Sequence, residues 1–161
     1  MSALLRLLFS VSLLGTLAAC AKKETPAPAP APAAQHEHHA PHGGTPVVLG
    51  HEACHLELVR DATAGTLTAY VLDGELEEFI RVKAASFEVV ATLAGAQQLL
   101  TFRAAANAAT GETVGNTSQF EAQADWLKTT PAFDATLVRL DIRGTSFTSV
   151  PFNFPRGNDR D

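Results

Sequence analysis

From Thr45 onward, apolar and polar residues alternate with a period of two, and that pattern confines the chain to β structure. Leu56 and Leu58 point one way, His55 and Glu57 the other. Leu67, Ala69 and Val71 alternate with Thr66, Thr68 and Tyr70. The same holds for Phe87, Val89 and Ala91, and for Val138, Leu140 and Ile142. Successive side chains of a strand leave opposite faces, so each run presents one apolar face for burial. Gly50, Asp61 to Gly65, Asp73-Gly74, Gly95, Asn107 to Asn116 and Gly144 punctuate the runs as turn signals. Strands are predicted near 45–49, 55–60, 66–72, 79–82, 86–93, 97–106, 118–124, 135–143 and 147–154. No segment carries a long amphipathic helical stripe, and Ala122 to Lys128 has room for one helical turn around Trp126. Pro151 lacks an N–H and belongs at a strand edge or bulge. Many short strands with regular turns predict an all-β fold, a single antiparallel β-sandwich of immunoglobulin-like or related type. Phe87, Phe102, Phe120, Trp126, Phe133, Phe147, Phe152 and Phe154 supply its core.

The N-terminal end obeys a different rule. Arg6 precedes an apolar run, Leu7 to Ala19, which has the length of a signal h-region and is short for a spanning helix. It ends in Leu17-Ala18-Ala19-Cys20, the pattern of a bacterial lipoprotein signal. Residues 1–19 are therefore expected to be a signal peptide and Cys20 the lipidated N-terminus of the mature chain. Two acyl chains on one cysteine bury enough methylenes for stable anchoring. Ala21, rather than an aspartate, follows the cysteine, which favours the outer membrane over the inner. Residues 24–34, ETPAPAPAPAA, alternate proline and alanine and cannot build a core. In extended polyproline II such a spacer reaches about 30 Å, at roughly 3 Å per residue. The expected organisation is a signal peptide over 1–19, a lipidated cysteine with a disordered Pro/Ala- and His-rich linker over 20–42, and the β-sandwich over 43–161. The chain would face the periplasm from the cell envelope.

Charge and motifs exclude several function classes. With 12 Lys and Arg against 17 Asp and Glu, the net charge of −5 gives no footprint for nucleic acid. The chain has no G-x-S-x-G elbow, no G-x-G-x-x-G and no Walker-type loop. Asp73-Gly74-Glu75 and Glu77-Glu78 form an acidic patch. Nothing apolar beside it would separate two carboxyl pKa values, so an exposed acidic turn is expected there. The expectation is a non-enzyme without an organic cofactor.

What remains is a concentration of ligand-type side chains. All six histidines, His36, His38, His39, His42, His51 and His55, fall between positions 36 and 55. Cys54, Glu37, Glu52 and Glu57 share that window. Imidazole, thiolate and carboxylate are the ligand set for copper and zinc. The spacing His-Glu-His-His-x-x-His matches no closed structural zinc pattern, so His36, His38 and His39 read either as a solvated linker or as weak, adaptable ligands. His42, His51 and His55 flank the first predicted hairpin. His55 and Glu57 should project from one strand face, about 7 Å apart. A site of His42, His51, His55 and Glu57 is within reach if His42 returns past a flexible Gly43-Gly44. Cys54 should point opposite to His55. With Cys20 lipidated it has no internal disulfide partner, and it is a small core residue, an interchain partner or an alternative ligand.

His42-Gly43-Gly44, His55-Leu56-Glu57-Leu58-Val59, Gly65 to Gly74 (GTLTAYVLDG) and Phe152 to Asn158 (FNFPRGN) resemble a group of small bacterial lipoproteins. The H-G-G and Y-V-L-D portions are also similar to a domain accompanying periplasmic adaptors of heavy-metal efflux pumps. The first resemblance covers most of 42–158, the second about 42–74. Together they imply an envelope location and metal handling, and they carry over no catalytic residue. The leading expectation is an envelope lipoprotein that binds or buffers copper or zinc through its His-rich segment, in touch with an efflux or delivery protein. The alternative is a protein-interaction module with an incidental histidine tract.

Overall fold

The computed structural model describes residues 39–159. The signal segment, Cys20, the Pro/Ala spacer, His36 and His38 lie outside the described residues. Eight strands follow one another: β1 (Thr45–Leu49), β2 (Cys54–Asp61), β3 (Thr66–Asp73), β4 (Ser86–Leu93), β5 (Ala96–Ala104), β6 (Gln119–Gln123), β7 (Phe133–Ile142) and β8 (Thr145–Phe154). They form one continuous antiparallel sheet in the order β1-β2-β3-β6-β5-β4-β7-β8. The all-β antiparallel expectation holds. The opposed walls are halves of one hydrogen-bonded sheet that curls around its own apolar face.

The alternating residues explain the curl. Val47, Leu49, Leu56, Leu58, Leu67, Ala69, Val71, Val89, Phe102, Phe120, Leu137 and Ile142 are buried in a shared cluster. Phe87 stacks on Phe102 at 4.8 Å and meets Phe120 edge-on at 5.1 Å, a geometry that adds to area burial. Two hairpins turn on two residues, Ala94-Gly95 and Arg143-Gly144, with both residues of each pair at positive φ. This primed turn matches the twist of the flanking strands, and glycine at its second position adopts it without strain. The expected helical turn is a 3₁₀ turn at Asp125–Lys128 that buries Leu127. Pro151 lies in β8, the end strand of the order, where its missing N–H is tolerated.

One predicted strand is absent. Residues 79–82 make only isolated bridges, Leu72 with Phe79 and Val82 with Thr117. Ile80 and Val82 are buried, as their alternation promised. The segment, however, crosses from β3 toward the start of β6, and neither neighbour runs beside it long enough to build a ladder.

The ends of the sheet order are closed without a ladder. The Asn158 side chain accepts from the Val48 N–H at 2.7 Å and donates to the Val48 carbonyl at 3.1 Å. It thus pairs β1 as a neighbouring strand would. The Thr45 hydroxyl donates to the Pro155 carbonyl at 3.1 Å. Gly157 has positive φ, and any Cβ there would run into the Pro46 carbonyl, so this approach requires glycine.

Candidate functional site

β2 is buried on both faces. Cys54, Leu56 and Leu58 face the core, whereas His55 and Glu57 lie on the outer face yet are 1% and 0% exposed. An outer polar face with no access to water needs a cover that supplies hydrogen bonds. For Glu57 the cover is the segment entering β1.

Glu57 Oε1 accepts from the backbone N–H groups of His42, at 2.7 Å, and Gly44, at 2.9 Å. Its Oε2 lies 2.8 Å from His42 Nδ1, which donates to it. The His42 ring stacks on Tyr70, with centroids 3.9 Å apart and planes 13° apart, and Phe79 leans against both rings. Tyr70 is the cross-strand neighbour of Glu57, so carboxylate and aromatic platform come from one register pair of β2 and β3. Gly43-Gly44 is a fixed turn, not the flexible return expected from composition. Gly43 has positive φ and its N–H donates to the Ala40 carbonyl at 2.9 Å. A Cβ on Gly44 would sit 2.7 Å from the Leu58 carbonyl and 2.8 Å from Glu57 Cγ. The folded unit therefore includes His42, one residue ahead of the expected boundary.

This arrangement selects the tautomer of a neutral His42 ring. With Nδ1 donating to a carboxylate, the neutral imidazole keeps its lone pair on Nε2. The His42 side chain is 37% exposed, which leaves that ring reachable from solvent. A carboxylate behind a histidine is the support that metal-bound histidines use to set tautomer and ring orientation. Glu57 itself is not a ligand in this geometry, because both oxygens are occupied and it is fully buried.

The other candidates are not gathered around His42. His51 is exposed in the β1–β2 turn. His55 shares the outer face with Glu57, as alternation predicts, and its Nδ1 donates to the Asp73 carbonyl at 3.0 Å. Cys54 is the free cysteine among the described residues and faces the core. Burial pushes its thiol pKa up; the Arg143 charge opposes this in part, and the Asp73 charge adds a smaller upward push. Thiolate, the ligating form, is thereby disfavoured. His39 is exposed at the edge of the described residues. Among the described residues, no three His, Cys, Asp or Glu side chains stand close enough to share an ion. The acidic patch is an exposed turn held by Asp73, whose Oδ1 accepts from the N–H groups of Glu77 and Glu78.

Tyr70 and Phe79 were not singled out from sequence. The available signal was the pairing of β2 with β3, which sets Tyr70 beside Glu57. Comparison of the chain with family models, curated proteins and solved structures finds no match.

Proposed function

We propose that this chain is an envelope lipoprotein that captures copper or zinc ions with its histidine-rich segment. His42 is the fixed ligand in that reading, and the histidines just before it supply the rest. The observation that supports it is the Glu57–His42 pair, a buried carboxylate holding Nδ1 of a ring that stays partly exposed and keeps Nε2 as its other nitrogen. His36, His38 and His39 precede this nitrogen by at most six residues. A ligand already ordered loses no further conformational freedom on binding, which favours capture over a wholly unstructured tract. A partner for efflux or delivery belongs to the same proposal, as does the anchor at Cys20.

The test is calorimetric titration of the full chain with Zn(II) and Cu(II). His42→Ala is expected to weaken the tightest event by about 10- to 100-fold, the range typical for losing a supported ligand or its support. His51→Ala should leave it unchanged. A titration that is the same in wild type and His42→Ala refutes the assignment of His42. Absence of any binding event refutes metal capture itself.

A further inference from the structure

β5 has an edge that the fold leaves open. β6 reaches β5 only at Arg103 with Glu121 and Ala104 with Phe120. Leu93 and Ala96 flank the two-residue turn and exchange hydrogen bonds, and the register then bonds Gln98, Leu100 and Phe102 to β4. The N–H and C=O of Gln97, Leu99 and Thr101 therefore point away from β4, on the side where β6 makes no ladder with β5 beyond the Arg103–Glu121 pair. Among the described residues no strand is hydrogen-bonded to them, and a cleft separates Leu99 and Thr101 from Glu121 and Gln123 of β6.

The contrast with the other edges is informative. β1 carries Pro46 and is paired by the Asn158 amide, and β8 carries Pro151. Natural sheets protect edges by such devices, or by charges and bulges. The β5 stretch Ala96 to Phe102, AQQLLTF, has no charge and no proline, and its outward Leu99 is 58% exposed.

We propose that this edge pairs with the same edge of a second copy, antiparallel about Leu99. The register is self-complementary. A two-fold axis at Leu99 sets Leu99 against its own counterpart and Gln97 against Thr101, and all three positions have outward-facing backbone groups. Antiparallel self-pairing repeats any charge on both sides of the axis, and this stretch has none to repel. Each copy contributes one short edge, so the interface is small and the dimer concentration-dependent.

The experiment is sedimentation velocity on the full chain in detergent, with micelles in large excess over protein. The expected result is a sedimentation coefficient that rises with concentration to the dimer value. Leu99→Lys puts like charges face to face, and Thr101→Pro removes an edge donor without touching a bond to β4. Each is expected to weaken the dimer at least tenfold while far-UV circular dichroism stays that of wild type. Val138→Lys, which alters an exposed apolar residue of β7 away from the seam, should not. A wild type that is monomeric at every concentration overturns the proposal and leaves the edge to a strand of another protein. A dimer unmoved by both Leu99→Lys and Thr101→Pro overturns it as well.

Discussion

Removing the Glu57 carboxylate takes away the acceptor of three N–H groups at once. Hydrogen bonds to a charged acceptor contribute about 1.5–3 kcal/mol each when buried. The two His42 donors belong to an exposed residue and rehydrate once released, whereas Gly44 is half-buried under the entering segment. Glu57→Ala is therefore expected to cost about 3 kcal/mol, short of three full bonds, including the space left beneath the segment. His42→Ala loses one of those bonds and the stack on Tyr70, about 1–2 kcal/mol in all. The double variant should cost less than the sum by about 1 kcal/mol, since the first change already removes what the second would break. Urea unfolding followed by the fluorescence of Trp126 measures all three, with the slope unchanged if the denatured state is. Two results refute the reasoning. One is a Glu57→Ala loss below about 1 kcal/mol, less than a single charged bond contributes. The other is coupling indistinguishable from zero, which means that Glu57 and His42 stabilise the fold separately.

Two further outcomes follow from the loops that close the fold. Asn158→Ala breaks both bonds to Val48, and urea unfolding should show a loss of about 1–2 kcal/mol; a loss below about 0.5 kcal/mol means that water replaces the amide at that edge. Glu112 is buried, which alone would raise its pKa, but bonds from the Ser118 hydroxyl and N–H and from Thr110, with Arg81 nearby, hold it below the ordinary 4.5. Its folded pKa is depressed, so its contribution is complete above the ordinary value and fades as pH falls through the folded one. The unfolding midpoint should therefore drop as pH falls below the ordinary 4.5, and Glu112→Gln should be less stable at neutral pH with a shallower drop. Equal slopes for the two proteins exclude Glu112 as the source.

The strands were legible because most of them bury every second residue; β2, buried on both faces, and β7, where an irregularity in the ladder leaves Val138 exposed although alternation put it on the apolar face, are the departures. The two-residue hairpins were legible from Gly95 and Gly144. Residues 79–82 had the same alternation but no neighbour long enough to pair with, and pairing is a property of the partner, not of the segment. The opposite facing of Cys54 and His55 could be read from parity alone. The role of Glu57 could not. Alternation placed it on an outer face, and outer carboxylates are ordinarily solvated. Its burial comes from residues 42–44, where His42 reads as the end of the linker and the two glycines as a flexible return. In the fold each glycine meets a specific demand, Gly43 a positive φ and Gly44 a close approach to Leu58 and Glu57.

The Glu57–His42 pair would exist in a protein that merely needed to pin its first segment, so stability alone does not distinguish a structural pair from a metal support. Linkage does. If His42 ligates, metal that binds only the folded state stabilises it by an amount that grows with free metal. The metal-free losses of Glu57→Ala and His42→Ala are then joined by a smaller metal-dependent gain. The two variants also separate by chemistry. His42→Ala removes the ligand, while Glu57→Ala keeps the imidazole and removes only what fixes its tautomer and aim. A metal-support role predicts weakened but measurable binding in Glu57→Ala, below wild type and above His42→Ala. A purely structural role predicts that both variants lose stability and that neither changes the increment metal adds. Unfolding midpoints of the three proteins across a zinc titration decide between these outcomes.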